Sequence, residues 1–148
     1  MNIELQVIGA SLRSIADEMG AVLVRSAFSA NIKERRDCST ALFDARGRMI
    51  AQAEHIPVHL GAMPDAVAAV RRHDPAPEEA WILNDPFAGG THLPDITLVT
   101  RTRTGFAVTR AHHADVGAVE PGSLPADSRT LAEEGVVIPP TLLDDAAL

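Results

Sequence analysis

The sequence predicts an α+β fold in which a long N-terminal helix packs on antiparallel hairpins. Apolar residues recur at spacings of three and four through the first 28 positions, which is typical of an amphipathic helix. Two later regions alternate apolar and polar residues around glycine-containing turns, as hairpins do. The last part of the chain is rich in proline and turn residues. We therefore expect one domain over residues 1–148, closed by an irregular, Pro-rich C-terminal wrap.

The first predicted element is an amphipathic helix within the segment from Ile3 to Phe28. Its apolar positions are Ile8, Leu12, Ile15, Met19, Val22 and Leu23. The polar stretch SANIKERRD that follows is predicted to be a loop. Two strands, near Thr40–Phe43 and Arg48–Gln52, are then separated by the turn residues DARG.

The middle of the chain predicts a second helix and a second hairpin. HIPVHLGAMP is irregular because of its prolines, and a shorter helix is expected from about Pro64 to Arg72, with an acid near its start and basic residues at its end. WILND reads as a short buried strand. Residues 95–116 read as two strands that turn around Thr104-Gly105.

Composition excludes several functional classes. The chain has 20 acidic and 13 basic residues, a formal charge of −7 and no long basic face, which argues against nucleic acid as a partner. Apolar runs such as AVLV are far shorter than the roughly 20 residues that span a bilayer, and no signal peptide is recognisable, so we expect a cytoplasmic protein without a membrane partner. The single cysteine, Cys38, is predicted to be a small buried residue.

A candidate metal site lies at the open end of the second hairpin. His92 and Asp95 lead into its first strand, and the adjacent His112 and His113 end its second strand. Paired strands bring such ends to within about 5 Å, so His92, Asp95 and one of the later histidines can converge. Only one of the two can serve, because successive side chains in a strand point to opposite faces. Two imidazoles and a carboxylate suit zinc, manganese or ferrous iron.

Spacing alone leaves a second interpretation open, in which these are ordinary surface or hydrogen-bonding residues, because a His-x-x-Asp match is common by chance. Pro94 would stiffen the bend, and Gly89-Gly90 would let the backbone pass close to a bound group.

Asp37, beside Arg36, reads as an ion-paired loop residue. His55 and His59 have helical ligand spacing, but Pro57 between them favours a structural loop. The sequence contains no GxxxxGK[ST] phosphate loop and no GxSxG motif.

Four segments give the sequence a specific resemblance. They are SANIKERRDCSTALFDARGRMIAQAEHIPVHLGAMPDAV, NDPFAGGTHLPDIT, RAHHADVGAVEPGSLP and EEGVVIPP. In this order, from about Ile3 to Pro140, they closely resemble the N-terminal part of the hydantoinase B / oxoprolinase family. That family includes B subunits of ATP-dependent N-methylhydantoinases, the corresponding half of 5-oxoprolinases, and related subunits of acetone and acetophenone carboxylases.

The resemblance implies a division of labour between two components. An A-type subunit binds ATP and phosphorylates a small cyclic-amide substrate, and the B-type part completes ring opening with the help of a divalent metal, taken as Zn, Mn or Fe. The implied ligands are His92, Asp95 and His112, with Asp37 as a fourth and His113 as the reserve for His112. Beyond the family's ligand set, we expect Asp115 to orient a ligand imidazole or accept a proton.

The sequence departs from the family pattern in two respects. Ala118 stands where relatives usually have the second glycine of Asp-Val-Gly-Gly, and family B subunits are several times longer than this chain. We therefore expect a fragment of a larger fold, with an A-type subunit and the remainder of a B chain as partners. The alternatives are part of an ATP-dependent ketone carboxylase subunit and an inactive truncated remnant.

Overall fold

The computed structural model describes residues 3–54, 59, 61–122 and 125–144 and confirms the α+β class. The strands are β1 (Cys38–Asp44), β2 (Met49–Glu54), β3 (Ala80–Leu83), β4 (Asp95–Arg101), β5 (Gly105–His112) and β6 (Thr141–Leu143). The helices are α1 (Ile3–Ser26), α2 (Ala30–Lys33), α3 (Met63–Arg71) and α4 (Leu131–Glu134). The strands form one antiparallel sheet in the order β2-β1-β5-β4-β3-β6, so both predicted hairpins are present.

Helix α1 lies against β1 and β2, where the Thr40 hydroxyl donates to the Ala16 carbonyl over 2.6 Å. The predicted helix is confirmed, but its apolar stripe is only partly covered. Ala16 and Gly20 are its buried residues, whereas Ile8 and Val22 are 54% and 51% exposed. No described helix, α1 included, has the length and apolarity needed to cross a membrane.

Helix α2 corrects the prediction that SANIKERRD is a loop. The amide of Lys33 donates to the Ser29 carbonyl over 2.8 Å, which closes a single helical turn, and the turn buries Ile32. One turn contains too few residues to give a periodic pattern in the sequence, so its side chains looked like those of a polar loop.

The main core fills the other face of the sheet, beneath α3. Pro64 stands in the first turn of α3, where a missing amide costs nothing. The core residues are Ala41, Phe43, Met63, Ala66, Val67, Val70, Trp81, Leu83, Val99, Phe106 and Val108. Cys38 is buried at the start of β1, as predicted, and burial raises the pKa of its thiol.

The C-terminal region is more regular than predicted, because β6 adds an edge strand to β3. The fully buried Asn84 fastens this region to the loop before β4. Its Nδ2 donates to the carbonyls of Leu93 and Val136, each over 2.9 Å, and its Oδ1 accepts the amide of Ile138 over 2.6 Å. One amide side chain therefore connects the predicted wrap to the segment that carries His92.

Replacing Asn84 by alanine should lower the free energy of unfolding by at least about 2 kcal/mol, because three backbone groups would lose their partner in a buried place. Urea unfolding followed by circular dichroism measures the change. Thr141→Ala is the matched control, since it removes an exposed hydrogen-bonding side chain of the same region and should cost less than about 0.5 kcal/mol. Equal losses in the two variants would contradict this account.

Candidate metal centre

The core face of the sheet becomes polar at one end of β4 and β5. Thr97 is paired with Arg110, and Asp95 is paired with His112. Residues two apart on a strand share a face, so these four side chains lie on the same face as the apolar core. Arg110 is fully buried, and its Nε donates to the Thr97 hydroxyl over 2.7 Å. The pair of Asp95 with His112 forms the next layer outward.

Asp95 is the centre of the cluster. Its Oδ2 lies 3.0 Å from Nδ1 of His92 and accepts the Thr91 hydroxyl over 2.9 Å. Its Oδ1 lies 3.1 Å from Nδ1 of His112. The Asp95 residue is only 2% exposed, whereas the His92 side chain is 39% exposed. A buried carboxylate therefore holds one accessible and one largely buried imidazole.

The segment THLPD brings His92 and Asp95 together through a tight turn. The Asp95 amide donates to the His92 carbonyl over 2.9 Å, which folds the two ligand-type residues onto one another. The carbonyl of Pro94 accepts the amides of Ile96 and His113 over 3.1 and 2.8 Å. The turn is thus fixed to the far strand of the hairpin through its own backbone.

The adjacent glycines serve this turn in a way that the sequence did not reveal. Gly89 has φ of +99°, and a Cβ there would lie 2.7 Å from the Asp65 carbonyl. A Cβ at Gly90 would collide with the Asn84 carbonyl. Close packing against the protein's own backbone therefore requires both glycines, a reason independent of the bound group suggested by the sequence.

The three predicted ligands His92, Asp95 and His112 offer ligand atoms that lie within 4.8 Å of one another. Two imidazole nitrogens and a carboxylate oxygen are donors that zinc, ferrous iron and manganese accept. The residues therefore fit a divalent ion in chemistry and in spacing.

The other two predicted residues near the hairpin stand apart from that group. His113 is half-buried and is not among the three, so the geometry favours His112 as the third ligand. Asp115 is exposed, and its Oδ1 accepts the Gly117 amide over 2.8 Å. Its predicted catalytic role has no support among the contacts described for the cluster and stays a prediction.

His59 approaches Asp95 from the side of β1 and also lies near Asp37. Nε2 of His59 lies 3.7 Å from Asp37 Oδ1 and 3.7 Å from Asp95 Oδ2, and His59 Nδ1 lies 3.0 Å from the Ser39 hydroxyl. The backbone carbonyl of Asp37 also accepts the His112 amide over 2.9 Å. Asp37, predicted as the fourth ligand, is not among the three grouped residues, and its side chain, 24% exposed, lies beside His59. Its role as a ligand stays a prediction.

His59 is the residue that sequence reasoning missed. Pro57 argued against a helical ligand pair of His55 and His59, but an imidazole needs no helix to reach a site across the fold. His55 lies outside the described residues. The only signal available in the sequence was the presence of a histidine in a proline-bounded loop.

The charges of the cluster depend on one another. Burial alone would raise the pKa of the Asp95 carboxyl, but the imidazoles of His59 and His92 outweigh burial and hold this pKa well below its usual range. The bond to Asp95 raises the pKa of His92 against the opposing effect of burial. Asp95 is therefore an ionised carboxylate at neutral pH, which is the form that binds cations.

The fold and the cluster together define the class of this protein, an α+β unit with a candidate metal site at the mouth of a hairpin. The chain belongs to the hydantoinase B/oxoprolinase family, whose sequence profile matches residues 1–147. The family resemblance is thereby confirmed. The chain is 43% identical over 143 residues to the 5-oxoprolinase of Saccharomyces cerevisiae, and the match covers 90% of this chain and 11% of the yeast protein. The chain spans between 11% and 27% of the first three curated relatives that it matches.

Two solved structures share the fold. A nucleotide-free acetone carboxylase superposes with a TM-score of 0.84 at 19% identity, over 97% of this chain and 20% of the carboxylase chain. An ATP-dependent caprolactamase from Pseudomonas jessenii gives a TM-score of 0.81 at 24% identity, over 97% of this chain and 26% of its own. The prediction of a fragment of a larger fold is therefore confirmed.

Relative to a His113→Gln variant, the wild-type chain should lose stability as the pH falls through about 6.5. Burial, with the nearby charge of His112, lowers the pKa of His113 in the folded state. As the pH falls, the unfolded chain therefore takes up this proton before the folded chain does. The stabilisation by neutral His113, which is present above the unfolded pKa, is therefore lost as the pH falls below that pKa. Urea unfolding of both proteins at pH 7.5 and 5.5 gives the comparison, with exposed His73→Gln as control. If the difference in free energy of unfolding between the wild type and His113→Gln is the same at both pH values, the pKa of His113 is not lowered by folding.

Proposed function

We propose that this chain is the metal-binding N-terminal segment of the B-type part of an ATP-dependent cyclic-amide hydrolase. The observation that carries the proposal is the convergence of His92, Asp95 and His112 on one point. In this proposal these three residues hold a divalent ion, with Asp37 at the adjacent position. ATP is used through an A-type partner, in keeping with the lack of a phosphate-loop motif in this sequence.

The ion would supply Lewis-acid polarisation of the activated carbonyl, or would lower the pKa of water from about 15.7 towards about 7. The protein's own residues prepare the place for it. The Thr91 hydroxyl fixes the Asp95 carboxylate, and Asp95 fixes the orientation of both imidazoles. His92 is the most exposed of the three ligands, so substrate would approach from its side.

Cyclic-amide hydrolysis is favoured by the name of a sequence relative. At 43% identity the yeast relative is a 5-oxoprolinase, whereas the caprolactamase, at 24% identity, contributes a likeness of fold. The second candidate is part of an ATP-dependent ketone carboxylase subunit, favoured by the likeness to acetone carboxylase, which at 19% identity is a likeness of fold. The third is an inactive remnant, which would neither bind a metal nor support turnover.

Metal analysis tests the site itself. The purified chain should bind about one Zn²⁺, Mn²⁺ or Fe²⁺ per molecule, and His92→Ala should weaken that binding more than about 100-fold, because even outer partners of metal ligands cost 10–100-fold. His73→Ala removes an exposed imidazole that stacks on Trp81 and should leave binding unchanged. A wild-type chain without stoichiometric metal would rule out the metal site.

Turnover tests the reaction. The chain is combined with the remainder of a B-type chain, an A-type partner and ATP, and is assayed with 5-oxoproline, hydantoin, or acetone plus bicarbonate. Ring opening that is lost in His92→Ala and kept in His73→Ala supports the hydrolase. Carboxylation of acetone supports the second candidate, and the absence of turnover on every substrate supports the remnant.

A further inference from the structure

His59 is a buried imidazole that stands between a serine hydroxyl and two carboxylates. It is 1% exposed, its Nδ1 lies 3.0 Å from the Ser39 hydroxyl, and its Nε2 lies 3.7 Å from an oxygen of Asp37 and 3.7 Å from one of Asp95. It is not one of the three residues whose ligand atoms converge. Any effect of His59 on the candidate metal centre is therefore exerted through its neighbours.

The partners of the ring determine which nitrogen carries the proton. Carboxylate oxygens can only accept hydrogen bonds, whereas a serine hydroxyl can donate or accept. A lone pair on Nε2 would face both carboxylates and be repelled by them. With the proton on Nε2, the ring presents an N–H to Asp37 and Asp95, and the Ser39 hydroxyl donates to the lone pair of Nδ1. Every one of these contacts is then attractive.

The contact of Nε2 with the two carboxylates is electrostatic rather than a short hydrogen bond. A well-formed N–H···O bond measures about 2.7–3.2 Å, and 3.7 Å exceeds that range. The equal distances place one N–H between both acceptors. Because His59 and Asp95 are almost fully buried, water screens this attraction only weakly.

The contact matters most when an ion engages the two predicted imidazole ligands. The oxygens of Asp95 contact Nδ1 of His92, Nδ1 of His112 and the Thr91 hydroxyl. A nitrogen that gives its lone pair to an ion cannot also donate a proton to Asp95. Imidazoles that used Nδ1 for the ion would leave Thr91 and His59 as the described donors to this carboxylate. Carboxylates that bind metals are usually held by such outer partners.

We propose that His59 is a positioning residue of the candidate metal centre, which directs its Nε2–H at Asp95 and Asp37 and is itself oriented by Ser39. This proposal rests on the proposed metal site. In this role His59 restricts rotation of the Asp95 carboxylate and keeps Asp37 on the same side of the ring. It thereby raises the affinity for a divalent ion without binding the ion.

Nitrogen-15 NMR of the full 148-residue chain tests the contact before any metal is added. The two ring nitrogens of a histidine differ in chemical shift according to which of them carries a proton, and His59→Gln identifies the signals of this ring by their loss. We expect a proton on Nε2 at neutral pH, with or without a second proton on Nδ1. A proton on Nδ1 alone would overturn the proposal, because a lone pair would then face both carboxylates.

Zinc binding tests the effect on the metal centre. His59→Leu, which removes the N–H, should weaken Zn²⁺ binding by about 10–100-fold, whereas His59→Gln, which keeps an N–H donor at the end of its side chain, should lose less than about tenfold. His73→Leu makes the same change at an exposed imidazole and should leave the affinity unchanged. X-ray absorption spectroscopy should count the same two imidazoles on zinc in the wild type and in both His59 variants.

The outcomes separate this proposal from the proposed function. Three imidazoles on zinc in the wild type would make His59 a ligand and overturn its positioning role, and so would equal zinc affinities of the wild type and a folded His59→Leu. If His59→Leu fails to fold, the position of the ring proton and the wild-type imidazole count decide. A wild-type chain that binds no stoichiometric Zn²⁺ overturns both the proposed metal site and the role of His59 in it.

Discussion

The structure depends on the buried carboxylate of Asp95. This residue begins β4, is paired with His112 across the hairpin, and contacts His92 through the turn that precedes the strand. A buried carboxylate is unfavourable unless several donors compensate it. The imidazoles and the Thr91 hydroxyl do so here. The same contacts that make Asp95 tolerable in the interior also bring the candidate metal ligands together.

A layer of polar side chains separates this cluster from the apolar core. Arg110 lies between Ser39 on β1 and Thr97 on β4, fully buried, and burial lowers the pKa of its guanidinium while the charge of Asp95 raises it. Its Nη1 has no hydrogen-bond partner within the described part of the chain. A buried cation of this kind requires a nearby anion. The ionised state of Asp95 therefore supports the strands beneath the site as well as the ligands above it.

The C-terminal region contributes to the site through Asn84. Asn84, at the end of β3, holds the Leu93 carbonyl inside the His92 turn and also binds the backbone at Val136 and Ile138. Asn84 therefore connects residues more than 50 places later in the chain to the turn that carries His92. The wrap is part of the scaffold that fixes the turn.

The sequence by itself determined the long helix, the two hairpins and the pairing of His92 and Asp95 with the later histidines, because periodicity and turn residues are local properties. Its family motifs also named the fold. Tertiary structure alone decided that His112 rather than His113 faces Asp95, since that choice depends on strand register. It alone brought His59 to within 3.7 Å of Asp37 and Asp95, because contacts between residues distant in sequence arise only when the chain packs and leave no local pattern.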